Sequence, residues 1–184
     1  RIAQWDGTNV TALGEGFNNT VNALVYDEYG HLYAGGDFTN SGATAVSRIA
    51  KWDGTNWMAL GVGVNQSVYS LVWNTNDHCL YAGGGFTQAG GTPAYRVAQW
   101  NPATAGWTNI GSLMAFSVRS IVFDSSNNLY AAGTSDGQPS SGNTNLWNIG
   151  MWNGSIWTNL GSGLKADSWE GVYAMAYYPT GNWL

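Results

Sequence analysis

At 184 residues the chain is long enough for one domain with a sizeable core, yet only 9% of its residues are charged while Gly numbers 26, Trp 11 and Tyr 10. Six Lys and Arg against eleven Asp and Glu give a formal charge of -5, which supplies no basic face for nucleic acid or an anionic membrane surface. Scarce charge and abundant aromatics oppose disorder, the single Cys79 excludes an internal disulfide and a thiolate zinc cluster, and no apolar run approaches the roughly eighteen residues of a membrane span.

The chain opens on two short apolar runs, 2–5 and 10–13, joined by Asp6-Gly7. VNALVY then starts at Val21, LYAGG at Leu32 and RIAKW ends on Trp52, followed by Asp53-Gly54 and Trp57. The next copy predicts strands at 68–73, 80–84, 97–100 and 107–110. A third begins at Val118 and Leu129 and closes on Trp152, Asn153-Gly154 and Trp157. The last run, 172–178, precedes Leu184, which aligns with Leu32, Leu80 and Leu129.

These runs are too short, and too poor in 3.6-residue periodicity, to be helices, so the fold class is all-β. Asp-Gly and Asn-Gly supply the positive φ that tight hairpins need. Trp5, Trp52, Trp100 and Trp152 recur at intervals of 47, 48 and 52 residues, the length of a propeller blade. The first strand of each unit is apolar on both faces and belongs innermost, between neighbouring blades; the fourth is the outer edge. Four-stranded antiparallel blades arranged radially protect their edges, which is the β-propeller. Its units are 1–47, 48–95, 96–148 and 149–184. The ends are complementary halves of a further blade. They would either close a four-bladed ring or belong to a longer propeller, the reading preferred here because Leu184 opens a strand that barely begins; Arg1 in place of Met fits either a processed chain or a segment of something longer.

GGDFTNSGATAVSRIAKWDGTNWMALG, from Gly35 to Gly61, resembles the propeller repeats of the fungal cortical polarity-marker family and similar repeats in secreted or surface-attached bacterial proteins. The resemblance covers essentially the whole chain. It implies a surface, adhesion or scaffold role. The third unit departs from the motif, with Ala132-Gly133-Thr134 in place of Gly-Gly-x-Phe-Thr and a lengthened loop after it. The fungal family's membrane anchor has no counterpart in these residues, so polarity marking itself is not carried over.

Titratable groups are few and scattered, and they predict neither a catalytic set nor a metal site. His31 and His78 read as ordinary turn residues, and Cys79 as a small buried hydrophobe. The acidic turns at Asp27, Asn74 and Asp124 lack the alternating spacing of a calcium loop and read as Asx turns. Gly14-x-Gly16, Gly61-x-Gly63 and Gly161-x-Gly163 imitate a phosphate loop, but no helix or P-loop lysine follows. Arg1, Arg48 and Arg96 open equivalent strands, where pairing with a carboxylate or carbonyl between blades is expected.

Asn9, Asn18, Asn65 and Asn153 head N-glycosylation sequons. In a chain this rich in Asn, Ser and Thr their number says little, but Asn18 and Asn65 are repeat-equivalent. Core packing accounts for the repeated aromatics, which leaves the copy-specific ones as ligand-binding candidates: Tyr95, Trp147 and Trp169, all in second-to-third or interblade loops. The expectation is a non-enzymatic extracellular or cell-surface propeller without cofactor, acting as scaffold, adhesion or assembly module through protein partners or self-association. A carbohydrate-binding propeller is the alternative, and an enzyme with its catalytic residues in further blades a third.

Overall fold

The computed structural model describes residues 2–111, 116–135, 148–161 and 171–179. It begins with a two-stranded hairpin, β1 (Ala3–Trp5) and β2 (Val10–Ala12). Blade one contains β3 (Val21–Tyr26), β4 (Leu32–Gly36), β7 (Ile49–Trp52) and β8 (Trp57–Ala59), with a small hairpin of β5 (Asn40–Ser41) and β6 (Thr44–Ala45) in its second-to-third loop. Blade two repeats the plan with β9 (Val68–Asn74), β10 (Cys79–Gly84), β13 (Val97–Asn101) and β14 (Gly106–Asn109), its loop hairpin being β11 (Gln88–Ala89) and β12 (Thr92–Pro93). In blade three the strands are β15 (Phe116–Phe123), β16 (Leu129–Ser135), β17 (Ile149–Trp152) and β18 (Trp157–Asn159). No described residue is helical, so no helix there is long and apolar enough to cross a membrane.

Each sheet is an antiparallel meander with its first and fourth strands at the edges. β3, β9 and β15 lie side by side across blades, which puts the first strands innermost as the sequence predicts. β9, with an inner strand on either side, is half-buried or buried throughout, whereas β3 alternates half-buried and exposed residues. The run 172–178 departs from expectation. It follows β15, with the Met175 amide donating to Ser120 Oγ at 3.0 Å and the Val172 amide to the Gly133 carbonyl at 3.0 Å. Yet 172–177 carries no strand.

The core lies between blades rather than within them. One cluster joins Tyr33 and Ile49 of blade one to Val68, Leu80 and Trp100 of blade two, and another joins Cys79 and Val97 of blade two to Val118 and Leu129 of blade three. Cys79 is 2% exposed, and burial, with Asp77 nearby, pushes its thiol up to about 11, so it is the inert hydrophobe expected.

The tryptophans act as latches between blades. Across each third-to-fourth hairpin the paired rings are Trp52 with Trp57, Trp100 with Trp107 and Trp152 with Trp157, their centroids 5.3, 5.4 and 5.6 Å apart. The outer ring of each pair donates its indole N–H to the carbonyl ending the preceding unit's fourth strand: Trp57 to Leu13 at 3.1 Å, Trp107 to Leu60 at 2.8 Å and Trp157 to Ile110 at 2.9 Å. The inner ring covers the glycine that follows, Trp52 on Gly14, Trp100 on Gly61 and Trp152 on Gly111. Repetition of this geometry is why tryptophan recurs in the sequence.

Carboxylates gather on the face formed by first-to-second and third-to-fourth turns. Asp27 Oδ1 accepts the amides of Tyr29 and His31, and Asp124 Oδ1 those of Ser126 and Asn128. These are Asx turns, as read from the sequence, and the described residues contain no cluster able to hold a metal ion. Burial raises both carboxyls, but hydrogen bonds outweigh it, chiefly from His31 for Asp27 and from Asn128 for Asp124, and hold both below the usual range. A depressed native pKa stabilises the fold above the unfolded value and is lost as pH falls through the native one. Melting temperature should therefore fall below about pH 4. In an Asp27→Asn, Asp124→Asn double variant the fall between pH 5 and pH 2 should be shallower, and an unchanged slope would refute the assignment.

Candidate functional site

The opposite face carries the second-to-third loops and the interblade linkers. Each inner strand enters the sheet from this face through a β-bulge. Val21 pairs with Gly36 and Ala23 with Gly35, skipping Asn22. Val68 and Ser70 likewise skip Tyr69, and Val118 and Ser120 skip Arg119. A bulged residue has no cross-strand partner and its side chain is re-aimed out of the ladder. Here the bulges bring Asn22, Tyr69 and Arg119 around the axial mouth of this face.

Neighbouring bulges touch across blades. Asn22 Nδ2 donates to the Val68 carbonyl at 2.9 Å and to Asp37 Oδ1 at 3.5 Å. The Arg119 guanidinium carbon sits 3.9 Å from the Tyr69 ring centroid, and Arg119 Nε donates to Thr134 Oγ1 at 3.4 Å. Tyr173, at the equivalent position of the next inner segment, is 67% exposed.

Second-strand glycines make this arrangement possible. A Cβ on Gly36, Gly84 or Gly133 would fall on the carbonyl oxygen of Thr20, Ser67 or Ser117, the residue just before each inner-strand valine or, in blade three, that valine's immediate predecessor in β15. The Thr20 carbonyl also accepts the Asp37 amide, and the Ser67 carbonyl the Gly85 amide, each at 2.9 Å. The Gly-Gly motif is thus a close-approach device for the bulge.

Tyr95 lies on the loop face, half-buried, its amide donating to Asn109 Oδ1 at 3.4 Å. Trp147 and Trp169 lie outside the described residues, so the three aromatic candidates are not brought together by anything observed. Arg48 donates to the Val64 carbonyl in the linker to blade two at 3.3 Å, the carbonyl pairing between blades that was expected, whereas Arg96 donates to the Gly85 carbonyl within its own blade.

All four sequon asparagines, Asn9, Asn18, Asn65 and Asn153, are exposed. Asn153 Oδ1 caps its hairpin turn through the amides of Ser155 and Ile156. Asn18 and Asn65 also have a structural task, because each closes a loop hairpin. Asn18 Oδ1 accepts the Thr39 and Asn40 amides and its Nδ2 donates to Thr39 Oγ1, an arrangement that Asn65 repeats with Thr87 and Gln88. We expect Asn65→Gln to cost about 1 kcal/mol by displacing these bonds, while Ser67→Ala removes the sequon with no such penalty; equal melting temperatures for the two variants would contradict the loop-closing role.

The sequence reading missed the bulge residues, although a signal was present. Among VNALVY, VYSLVW, VRSIVF and VYAMAY most positions keep their class, small, aliphatic or aromatic, but the second is Asn, Tyr, Arg and Tyr. Release from packing permits that change of class, and comparing repeat positions by class instead of searching for stray aromatics would have found it.

Residues 4–168 match the family model described as the Rax2 C-terminal beta propeller domain. Among solved structures, the extracellular domain of BT4673 from B. thetaiotaomicron, described as a hybrid two component system, superimposes with a TM-score of 0.57 at 13% identity, over 84% of this chain and 18% of that one. A structure of the BT4673 extracellular domain described as a one component system gives 0.49 at 13% identity, over 74% of this chain and 15% of that one. This chain therefore spans a small part of either, and at such identity the likeness is one of fold. No curated protein matches the chain.

Proposed function

The chain belongs to the Rax2 C-terminal beta-propeller family, and from that premise we propose that it is a non-enzymatic extracellular propeller, serving as a scaffold, adhesion or surface-assembly module. One observation carries the reading. The repeated aromatics are consumed in latches between blades and the turn-face carboxylates in Asx turns, whereas the loop face carries the side chains that differ from copy to copy. A frame of constant blades presenting a variable face is what a contact module requires. Protein partners, or other copies of the chain, would meet that face.

The test is adhesion. Beads coated with the chain should bind cells of its own source or aggregate with one another, and charge reversal at Arg119 and Asp37 should weaken binding more than reversal at Asp53 and Asp6 on the turn face. Equal sensitivity of the two faces would sink the reading. A glycan at Asn18 and Asn65 accompanies the extracellular assignment, and peptide mapping of secreted material should find both modified; two unmodified asparagines would refute that part.

A further inference from the structure

The axial mouth holds one feature that adhesion does not need. Arg119 is half-buried, with one face on the Tyr69 ring and its Nε on Thr134. Its terminal amino groups make no hydrogen bond, and it forms no ion pair, among the described residues. Stacking fixes the guanidinium plane, so its unused N–H groups form a pre-oriented fork, the geometry that takes a carboxylate through two parallel hydrogen bonds. The surroundings favour an anion as well. Asp6, Asp27, Glu28, Asp53, Asp77 and Asp124 sit in the turns of the far face, while Arg48, Arg96 and Arg119 share this one with only Glu15 and Asp37 among the described residues, and Asp37 already accepts from Asn22.

We propose that the mouth beside Arg119 binds a carboxylate-bearing sugar, with the guanidinium taking the carboxylate and the Tyr173 ring taking the apolar face of the sugar. Tyr173 lies between Val172, whose amide donates to the Gly133 carbonyl of β16, and Met175, whose amide donates to Ser120 Oγ of Arg119's strand, so it stands, exposed, on the segment next to that strand. Aromatic rings with few charges around them suit a flat, hydroxylated body. An acidic peptide is the poorer fit, because successive carboxylates need several cations, no lysine is found on this face among the described residues, and Arg48 is occupied by the Val64 carbonyl. The proposal goes beyond the scaffold reading, which requires no soluble ligand.

Titration calorimetry of the intact chain with glucuronic acid, glucose and tetraglutamate tests it. Glucuronic acid should bind saturably and glucose about tenfold or more weaker, the loss expected when a charge-assisted pair is removed. Arg119→Gln should weaken glucuronate about tenfold or more, Arg119→Lys less, and Tyr173→Ala should weaken both sugars. If Arg119→Gln fails to fold, the contrast between glucose and glucuronate together with Tyr173→Ala decides the matter. No saturable glucuronate binding, equal binding of the two sugars, tighter binding of tetraglutamate, or glucuronate affinity unchanged in a folded Arg119→Gln variant would each overturn the proposal.

Discussion

Trp57→Ala should lower the thermal midpoint by roughly 6–20 °C, from a loss of about 3–5 kcal/mol for a large aromatic removed from a core and about 2–4 °C per kcal/mol in a chain of this size. Trp57 is 3% exposed, its ring lies 4.6 Å from that of Phe17 and 5.3 Å from that of Trp52, and its indole N–H holds the Leu13 carbonyl at the end of β2. The latch joins the first hairpin to blade one, so the damage should be local before it is global. Hydrogen exchange in β1 and β2 should accelerate more than in β9 and β10. Trp57→Phe separates the two contributions: it keeps most of the packing, drops the hydrogen bond and should cost only about 1 kcal/mol. Equal losses for Phe and Ala would mean that the N–H bond, not ring packing, dominates, and even protection across all blades in Trp57→Ala would refute the latch.

Much of this was legible from spacing alone. Trp52, Trp100 and Trp152 give the blade period, and Asp6-Gly7, Asp53-Gly54 and Asn153-Gly154 give the hairpins, with Gly7, Gly54 and Gly154 all at positive φ. Predicted strands at 68–73 and 80–84 fall within one residue of β9 and β10 at each end, because alternation and turn chemistry are local signals. What spacing did not reveal depends on register. Whether Tyr69 is an ordinary strand residue or a bulge is decided by Gly84 pairing with Val68 while Gly83 pairs with Ser70, a relation between residues more than a dozen positions apart. The loop hairpins were hidden for a similar reason. Asn18 and Asn65 read as sequons, while their bonds reach Thr39 and Thr87 across the blade.

That register yields the second large effect. Gly84→Ala should destabilise by about 3 kcal/mol, the upper range for overpacking, because the new methyl would meet the Ser67 carbonyl oxygen as well as the Phe86 ring. A backbone carbonyl cannot rotate aside, and this one already accepts the Gly85 amide at 2.9 Å, so relief requires opening the bulge that positions Tyr69. The adjacent glycines separate strain from mere addition of bulk. At Gly85 a Cβ meets nothing closer than 3.5 Å, and Gly85→Ala should stay within about 0.5 kcal/mol. At Gly83 the obstacle is the Val118 side chain, which can repack. Blade three already carries Ala132 at the position equivalent to Gly83 but keeps Gly133 at the position equivalent to Gly84. Gly83→Ala should accordingly cost less than Gly84→Ala, and only the latter should change the Tyr69 environment seen by aromatic NMR shifts. A ranking with Gly83 as the more sensitive site would show that interblade packing, and not the bulge, is what the glycine pair protects.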